Sequence, residues 1–243
     1  MNRSCLIIGA SSLIARQIMQ ELDCQSMQFI AHAHSNVEAL HKDNGLENSE
    51  VVPLQADLAS PEGAYSLISQ ASAICGVPDA IIFAQAPPLR LTRFKSLKLE
   101  QVQEHLQVQL LSSVEIARAF LPAMARRGSG RVVFIISSVT LGLPPAAMAD
   151  YTIAKYAQLG LVRSLASEYG PKGLRINAVS PSMVDTPYLN ALPDNMVTQN
   201  AAGHPLGRNA LPQEIAPVVR LLLSSQATYM NGVNIPITGG VCV

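Results

Sequence analysis

Cys5-Leu6-Ile7-Ile8-Gly9-Ala10-Ser11-Ser12 is the stretch that decides the fold. An apolar run meets a glycine and two hydroxyl residues, and Ile14, Ile18, Met19 and Leu22 follow at helical spacing. This reads as a buried strand, a tight turn and an amphipathic helix. Such a turn aims backbone N–H groups and a helix N-terminus at one point, where a phosphate can sit.

Working outward, the same alternation continues to the C-terminus. Strand-like runs fall at 28–33, 51–55, 80–83, 131–136, 175–179 and 233–237. Helical patterns fall at 61–73, 98–127, 148–169 and 212–223, with a short one ending at Lys42. Apolar strands alternating with amphipathic helices predict parallel β-α-β units. The expected class is α/β, a single Rossmann-like doubly wound domain over residues 1–243. Its parallel seven-stranded sheet is expected to be flanked by helices on both faces. In the long pattern, Leu106, Leu110, Val114 and Ala117 share one stripe. Residues 186–207 are of mixed polarity with weak periodicity, and read as a flexible lid.

Composition narrows the function. Lys+Arg and Asp+Glu both number 17, so no excess of positive charge speaks for nucleic acid or an anionic membrane. Tryptophan is absent, which weakens any base-stacking role. Cys5, Cys24, Cys75 and Cys242 have no paired spacing, which argues against zinc or a disulfide framework and for a reducing compartment. The first apolar run is too short for a signal-peptide core, and a cytoplasmic location is expected.

The chemistry gathers between residues 138 and 155. A strand-like run delivers Ser137 and Ser138 to its end, and the next helix carries Tyr151 and Lys155. Residues four apart share a helix face, so the phenol and the ammonium can meet. With the Ser138 hydroxyl they form a kit for moving a proton to or from a carbonyl oxygen. The plainer reading of Tyr151 and Lys155 alone is a surface pair.

Taken together, these residues resemble the short-chain dehydrogenase/reductase family over nearly the whole chain, most of all its 3-oxoacyl-[acyl-carrier-protein] reductase-type members. Ser138, Tyr151 and Lys155 stand at that family's catalytic spacing. Gly9-Ala10-Ser11-Ser12, Asp57-Leu58, Asn177-Ala178-Val179-Ser180-Pro181, Asp185-Thr186-Pro187 and Ile237-Thr238-Gly239-Gly240 match its landmarks in order. The resemblance implies reversible hydride transfer between a nicotinamide and a ketone or secondary alcohol, with reduction of a 3-oxoacyl thioester (on coenzyme A or a carrier protein) the nearest match. It implies Ser138, Tyr151 and Lys155 as catalytic residues. Gln109 stands for the family's asparagine, which holds a water in the proton relay.

For the cofactor the resemblance implies Gly9, Ser11, Ser12, Leu13 and Ile14 at the phosphate turn, and His34, Ser35 and Asn36 after the second strand. Asp57 and Leu58 fall at the adenine and Ala84 after the fourth strand. Pro181, Val184 and Thr186, with Tyr151 and Lys155, lie on the nicotinamide side. Ala33-His34-Ser35-Asn36 holds no carboxylate to grip ribose hydroxyls, and His34 stands where phosphate-preferring relatives often carry arginine. NADP(H) is therefore expected over NAD(H). The alternative for His34 is a solvated loop residue. No metal is expected.

The resemblance further implies a homotetramer packed through the long helix and the Tyr151 helix. It implies Val241-Cys242-Val243 at a second interface, and an acyl carrier protein docked near Arg126, Arg127 and Lys172, whose plainer reading is a charge cluster at a helix C-terminus and a turn lysine. Three departures keep a second reading open, that of a cofactor-impaired member acting as a partner subunit or regulator. They are Leu13 and Ala15 in place of glycines, Phe83-Ala84-Gln85-Ala86 in place of Asn-Asn-Ala-Gly, and Gln109.

Overall fold

The computed structural model describes residues 3–35, 37–41 and 45–241. In chain order the elements are β1 (Ser4–Ile8), α1 (Leu13–Leu22), β2 (Gln28–Ala33), α2 (Glu38–His41), β3 (Glu50–Gln55), α3 (Pro61–Cys75), β4 (Ala80–Phe83), α4 (Leu99–His105), α5 (Ser112–Arg127), β5 (Gly130–Ile135), α6 (Ala149–Tyr169), β6 (Leu174–Pro181), α7 (Asp194–Gly203), α8 (Pro212–Leu223) and β7 (Asn234–Ile237). The strands form one seven-stranded parallel sheet in the order β3-β2-β1-β4-β5-β6-β7.

Side chains alternate across a strand, and both faces of this sheet are covered, which is why its strands are runs of apolar residues. Leu6, Ile8, Ile81 and Phe83 face α3, α5 and α6, packing with Leu67, Ile116, Phe120 and Val162. Cys5, Ile7, Ala80 and Ile82 face α1 and α8, packing with Ile18, Met19, Ile215 and Val219. Phe83 stacks on Phe134 with ring centroids 4.4 Å apart. Burying a side chain of that size contributes roughly 1.5–3 kcal/mol. Phe83 is thus an aromatic core residue rather than an asparagine at the ribose.

One expectation is corrected. The stripe Leu106, Leu110, Val114 and Ala117 is not the buried one: only Ala117 is buried, while His105, Gln109, Ser112, Ser113, Ile116 and Phe120 face inward. A π turn over Leu106–Leu111 joins α4 to α5, and the Ser112 N–H reaches back to the Gln107 carbonyl. The wide turn slips the helical phase and sends polar residues inward. The segment read as a flexible lid contains a 3₁₀ turn, Pro187–Ala191, and the helix α7. Pro193 supplies the residue before α7, where no backbone N–H is needed. No described helix is long and apolar enough to cross a membrane.

Candidate active site

The strand order reverses between β1 and β4, and at that switch point an open sheet forms a crevice at its strands' carboxyl ends. A cavity of about 1050 Å³ lies there, at the upper end of the ~300–1,000 Å³ usual for ligand pockets. Of the residues expected at the cofactor, Gly9, Ser11, Ser12, Leu13, Ile14, His34, Asp57, Leu58, Ala84, Pro181, Val184 and Thr186 line it, as do Ser138, Tyr151 and Lys155. Ser35 and Gln109 do not line it, and Asn36 lies outside the described residues.

The turn after β1 is built for close approach. Gly9 has φ +83°, and a Cβ there would lie 2.8 Å from the Gln85 amide nitrogen and 2.9 Å from the Ala84 carbonyl. The backbone therefore passes directly beneath the end of β4, and only glycine fits. Ser12 caps α1, its Oγ accepting from the Ala15 N–H at 3.2 Å. The cap satisfies the Ala15 amide, and Leu13 and Ile14, whose amides have no partner within the helix, line the cavity. Leu13 opens the helix and is 41% exposed. His32, behind the turn, accepts from the Gly9 N–H through Nδ1 at 3.3 Å, and its Nε2 lies 3.0 Å from the Ala56 carbonyl. Burial is the main reason its imidazolium form is disfavoured, with a pKa of about 4. His34 pairs with Asp57 at 3.3 Å, both largely exposed, so the pair is solvated and weak. Arg16, on α1, also lines the cavity.

The other end is buried. Ser138 opens a 3₁₀ turn, Ser138–Thr140, after β5. Tyr151 and Lys155 lie in the first two turns of α6, and the Lys155 nitrogen sits 5.6 Å from the Tyr151 ring centroid. Lys155 is 3% exposed. Its ammonium donates to the Ile135 carbonyl at 3.0 Å and to Gln158 Oε1 at 3.1 Å. Burial pushes it down to about 7. Burial likewise pushes the Tyr151 phenol up to about 12, with the Ser137 hydroxyl acting in the opposite sense. In the resting site the phenol therefore carries its proton.

Gln109 is buried, yet its side chain turns toward His105, with Nε2 2.8 Å from His105 Nδ1. Its backbone carbonyl, not its side-chain amide, accepts from Gln158 Nε2 at 2.9 Å, and Gln158 in turn accepts from Lys155. Sequence reasoning missed Ser137, Gln158, His105 and Arg16. The lysine-to-glutamine spacing of three on one helix was the only local signal for any of them.

The remaining wall is apolar. Leu89, Met148 and Leu192 form a small buried cluster with Met183, Tyr188, Leu189 and Met196. The Tyr188 hydroxyl donates to the Pro87 carbonyl at 2.8 Å, tying the 3₁₀ turn to the loop opposite. Arg127 is spent on its own chain, bonding the Val77 and Pro78 carbonyls and pairing with Asp79 at 3.1 Å. Lys172 pairs with Glu168 and lies over the Tyr169 ring. Arg126, Arg127 and Lys172 precede β5 and β6 and so sit at the amino ends of the strands, opposite the cavity. That removes them as a docking site beside this chain's cleft.

The residues present fit a nicotinamide dinucleotide. The glycine cradle would be filled by a Cβ, and Gln85 Oε1 and Ser182 Oγ are buried on the cavity wall with no hydrogen-bond partner among the described residues.

Comparison with known proteins agrees with this geometry. The family model described as Enoyl-(Acyl carrier protein) reductase matches residues 9–242, and the chain belongs to the short-chain dehydrogenase/reductase family. It is 34% identical to the uncharacterized oxidoreductase YmfI of Bacillus subtilis, with 99% of each chain covered. It is 27% identical to the acetoacetyl-CoA reductase of Allochromatium vinosum, again over 99% of each. It superposes with TM-score 0.87 on the NADP-bound 3-oxoacyl (acyl-carrier-protein) reductase of Agrobacterium tumefaciens, at 25% identity, covering 98% of this chain and 94% of that one.

Proposed function

We propose that this protein is an NADP(H)-dependent reductase of ketones, with a 3-oxoacyl thioester as its substrate class. The observation that carries the reading is the meeting of Ser138, Tyr151 and a buried Lys155 at the switch-point cavity. When bound, the nicotinamide supplies the hydride. Tyr151 gives its proton to the carbonyl oxygen, and the Lys155 charge favours the phenolate that remains. The Ser138 hydroxyl donates to the same oxygen and holds it in place. The leucine and methionine wall excludes water and suits an uncharged acyl chain.

Relatives that reduce 3-oxoacyl thioesters support the substrate class. The absence of a carboxylate at His34 and Ser35, together with Arg16 on the cavity wall, supports a 2′-phosphate. Exposed Leu99, Leu111, Ile153 and Tyr156 on and between α4, α5 and α6 support a homotetramer packed through these helices.

The test is oxidation of NADPH or NADH by purified protein with acetoacetyl-CoA, followed at the nicotinamide absorbance, with fluorescence titration of both cofactors. Turnover with NADPH in excess of NADH is expected. Tighter binding of NADH would overturn the cofactor assignment. Binding of neither at millimolar levels would leave the non-catalytic partner reading in its place.

A further inference from the structure

Lys155 has an unusual set of partners. Its surroundings include no carboxylate within ion-pair distance among the described residues. The ionisable groups about it are Tyr151 and Asp150 on its own helix and His105 at the end of α4. Its charge is met instead by one backbone carbonyl and by Gln158. Gln158 is itself 1% exposed, one turn further along α6.

Gln158 is held at both ends. Its Oε1 accepts from Lys155, and its Nε2 donates to the Gln109 carbonyl. That carbonyl lies in the π turn and also accepts from the Ser113 hydroxyl at 2.7 Å. In the turn the Ser112 N–H goes to Gln107, and the Val108 carbonyl takes the Ser112 hydroxyl instead, at 2.7 Å. Gln85 Nε2 donates to Ser113 Oγ at 2.9 Å, fixing the turn from the end of β4. The contacts then run on from Gln109 to His105, whose Nε2 is 3.9 Å from Asp150 Oδ2. Asp150 Oδ1 accepts from the Tyr151 N–H at 2.9 Å. Hydrogen bonds between buried polar groups thus lead from Lys155 through Gln158 and Gln109 to His105, and His105 faces Asp150 across 3.9 Å without a hydrogen bond. π turns are rare, and they gather at functional sites.

We infer that Gln158, braced by the π turn at Gln109, is a positioning residue that fixes both the place and the charge of Lys155. A carboxamide holds a charge but does not pass a proton along. The link from Lys155 to Gln109 is therefore a brace and not the water relay expected from the family resemblance. This inference rests on the proposed reductase only for its catalytic consequence.

The test uses two variants of the full chain and one readout that needs no turnover. Gln158→Leu removes the acceptor and leaves the ammonium with one partner. Gln158→Glu keeps an acceptor and adds a negative charge. The Lys155 titration is followed by competitive acetylation with acetic anhydride across pH, read by peptide mass spectrometry. The Lys155 pKa is expected to fall by about one unit in Gln158→Leu and to rise by about one unit in Gln158→Glu, as desolvation and opposite charge dictate. The basic limb of kcat/KM should move the same way in each variant, since loss of the lysine charge ends the phenolate support. Circular dichroism establishes that each variant is folded, and Gln158→Glu suffices if Gln158→Leu does not fold. No movement in a folded variant, or movement of the same sign in both, overturns the inference. A wild-type protein without reductase activity would overturn the proposed function while leaving the titration result standing.

Discussion

The two ends of the cavity are built in opposite ways. At the phosphate end the chain offers backbone: a glycine turn, the first amides of α1 and an exposed His34–Asp57 pair. At the catalytic end it offers buried side chains braced by one another, with Lys155, Gln158, Gln109 and His105 all within 3% exposure. A backbone site tolerates changes of side chain as long as the chain path is kept. A buried polar network does not, because each group left unpaired costs about 1–3 kcal/mol. This is why the glycine pattern can loosen to Leu13 and Ala15 while Ser138, Tyr151 and Lys155 keep their spacing. Four variants can break or sharpen the contrast.

The largest effect is expected at the catalytic end. Tyr151→Phe removes only the phenolic oxygen and keeps the ring that packs against His105, 6.0 Å away in edge contact. Turnover should fall by roughly 10²–10⁴-fold, the usual contribution of a positioned acid, with NADPH affinity essentially unchanged. Steady-state kinetics beside a fluorescence titration checks this, and unchanged rates would remove Tyr151 from the chemistry.

Gly9→Ala tests the one place where the phosphate end demands an exact residue. The new Cβ meets the backbone of Ala84 and Gln85 at under 3 Å, at a φ that side chains avoid. A loss of roughly 1–3 kcal/mol in stability is expected from the strained backbone, together with a marked loss of NADPH affinity. Denaturant unfolding and titration check the two parts. A variant as stable as the wild type would mean that the turn shifts freely.

His32 lies just behind that turn and makes it sensitive to acid. In the neutral ring Nδ1 accepts from Gly9, while Nε2–H donates to the Ala56 carbonyl, and protonating Nδ1 abolishes the first bond. Burial lowers the folded pKa to about 4 from 6.5, so the unfolded chain binds the extra proton first. The stabilisation is fully present above pH ~6.5 and is lost as pH falls toward ~4, amounting to about 3 kcal/mol. Urea unfolding across that window, with His32→Gln flattening the slope, is the check. An equal slope in the variant would assign the acid sensitivity elsewhere.

The sheet was legible because most strands are local apolar runs, and the phosphate-turn residues and Ser138 because they lie within a few positions of a strand end. Tyr151 and Lys155 lie on α6, well beyond the end of β5, and were legible from their spacing to each other and to Ser138. The π turn was not legible. One wide turn leaves the apolar pattern of 98–127 helical to the eye, while it moves His105 and Gln109 inward and Leu106 and Leu110 toward the surface. Arg16 depends on which face of α1 meets the cavity, and Gln158 on which face of α6 turns toward the π turn, and both are decided by packing. Arg127 fits its plainer reading, a charge at the end of α5, because a charge alone does not say which end of a strand it closes.

The smallest effect is expected at Leu13. Leu13 is the first residue of α1, it lines the cavity, and it is 41% exposed; the first amides of a helix have no partner within it. The amide is what a phosphate needs, and it is the same amide in alanine. Leu13→Ala should therefore change stability by no more than ~0.5 kcal/mol, as for a surface substitution. NADPH affinity should move by less than about 3-fold, equivalent to ~0.6 kcal/mol. A tenfold gain in affinity would show that the leucine side chain narrows the phosphate site. The phosphate end would then be shaped by side chains as the catalytic end is, and the freedom of its glycine pattern would carry a cost in cofactor binding.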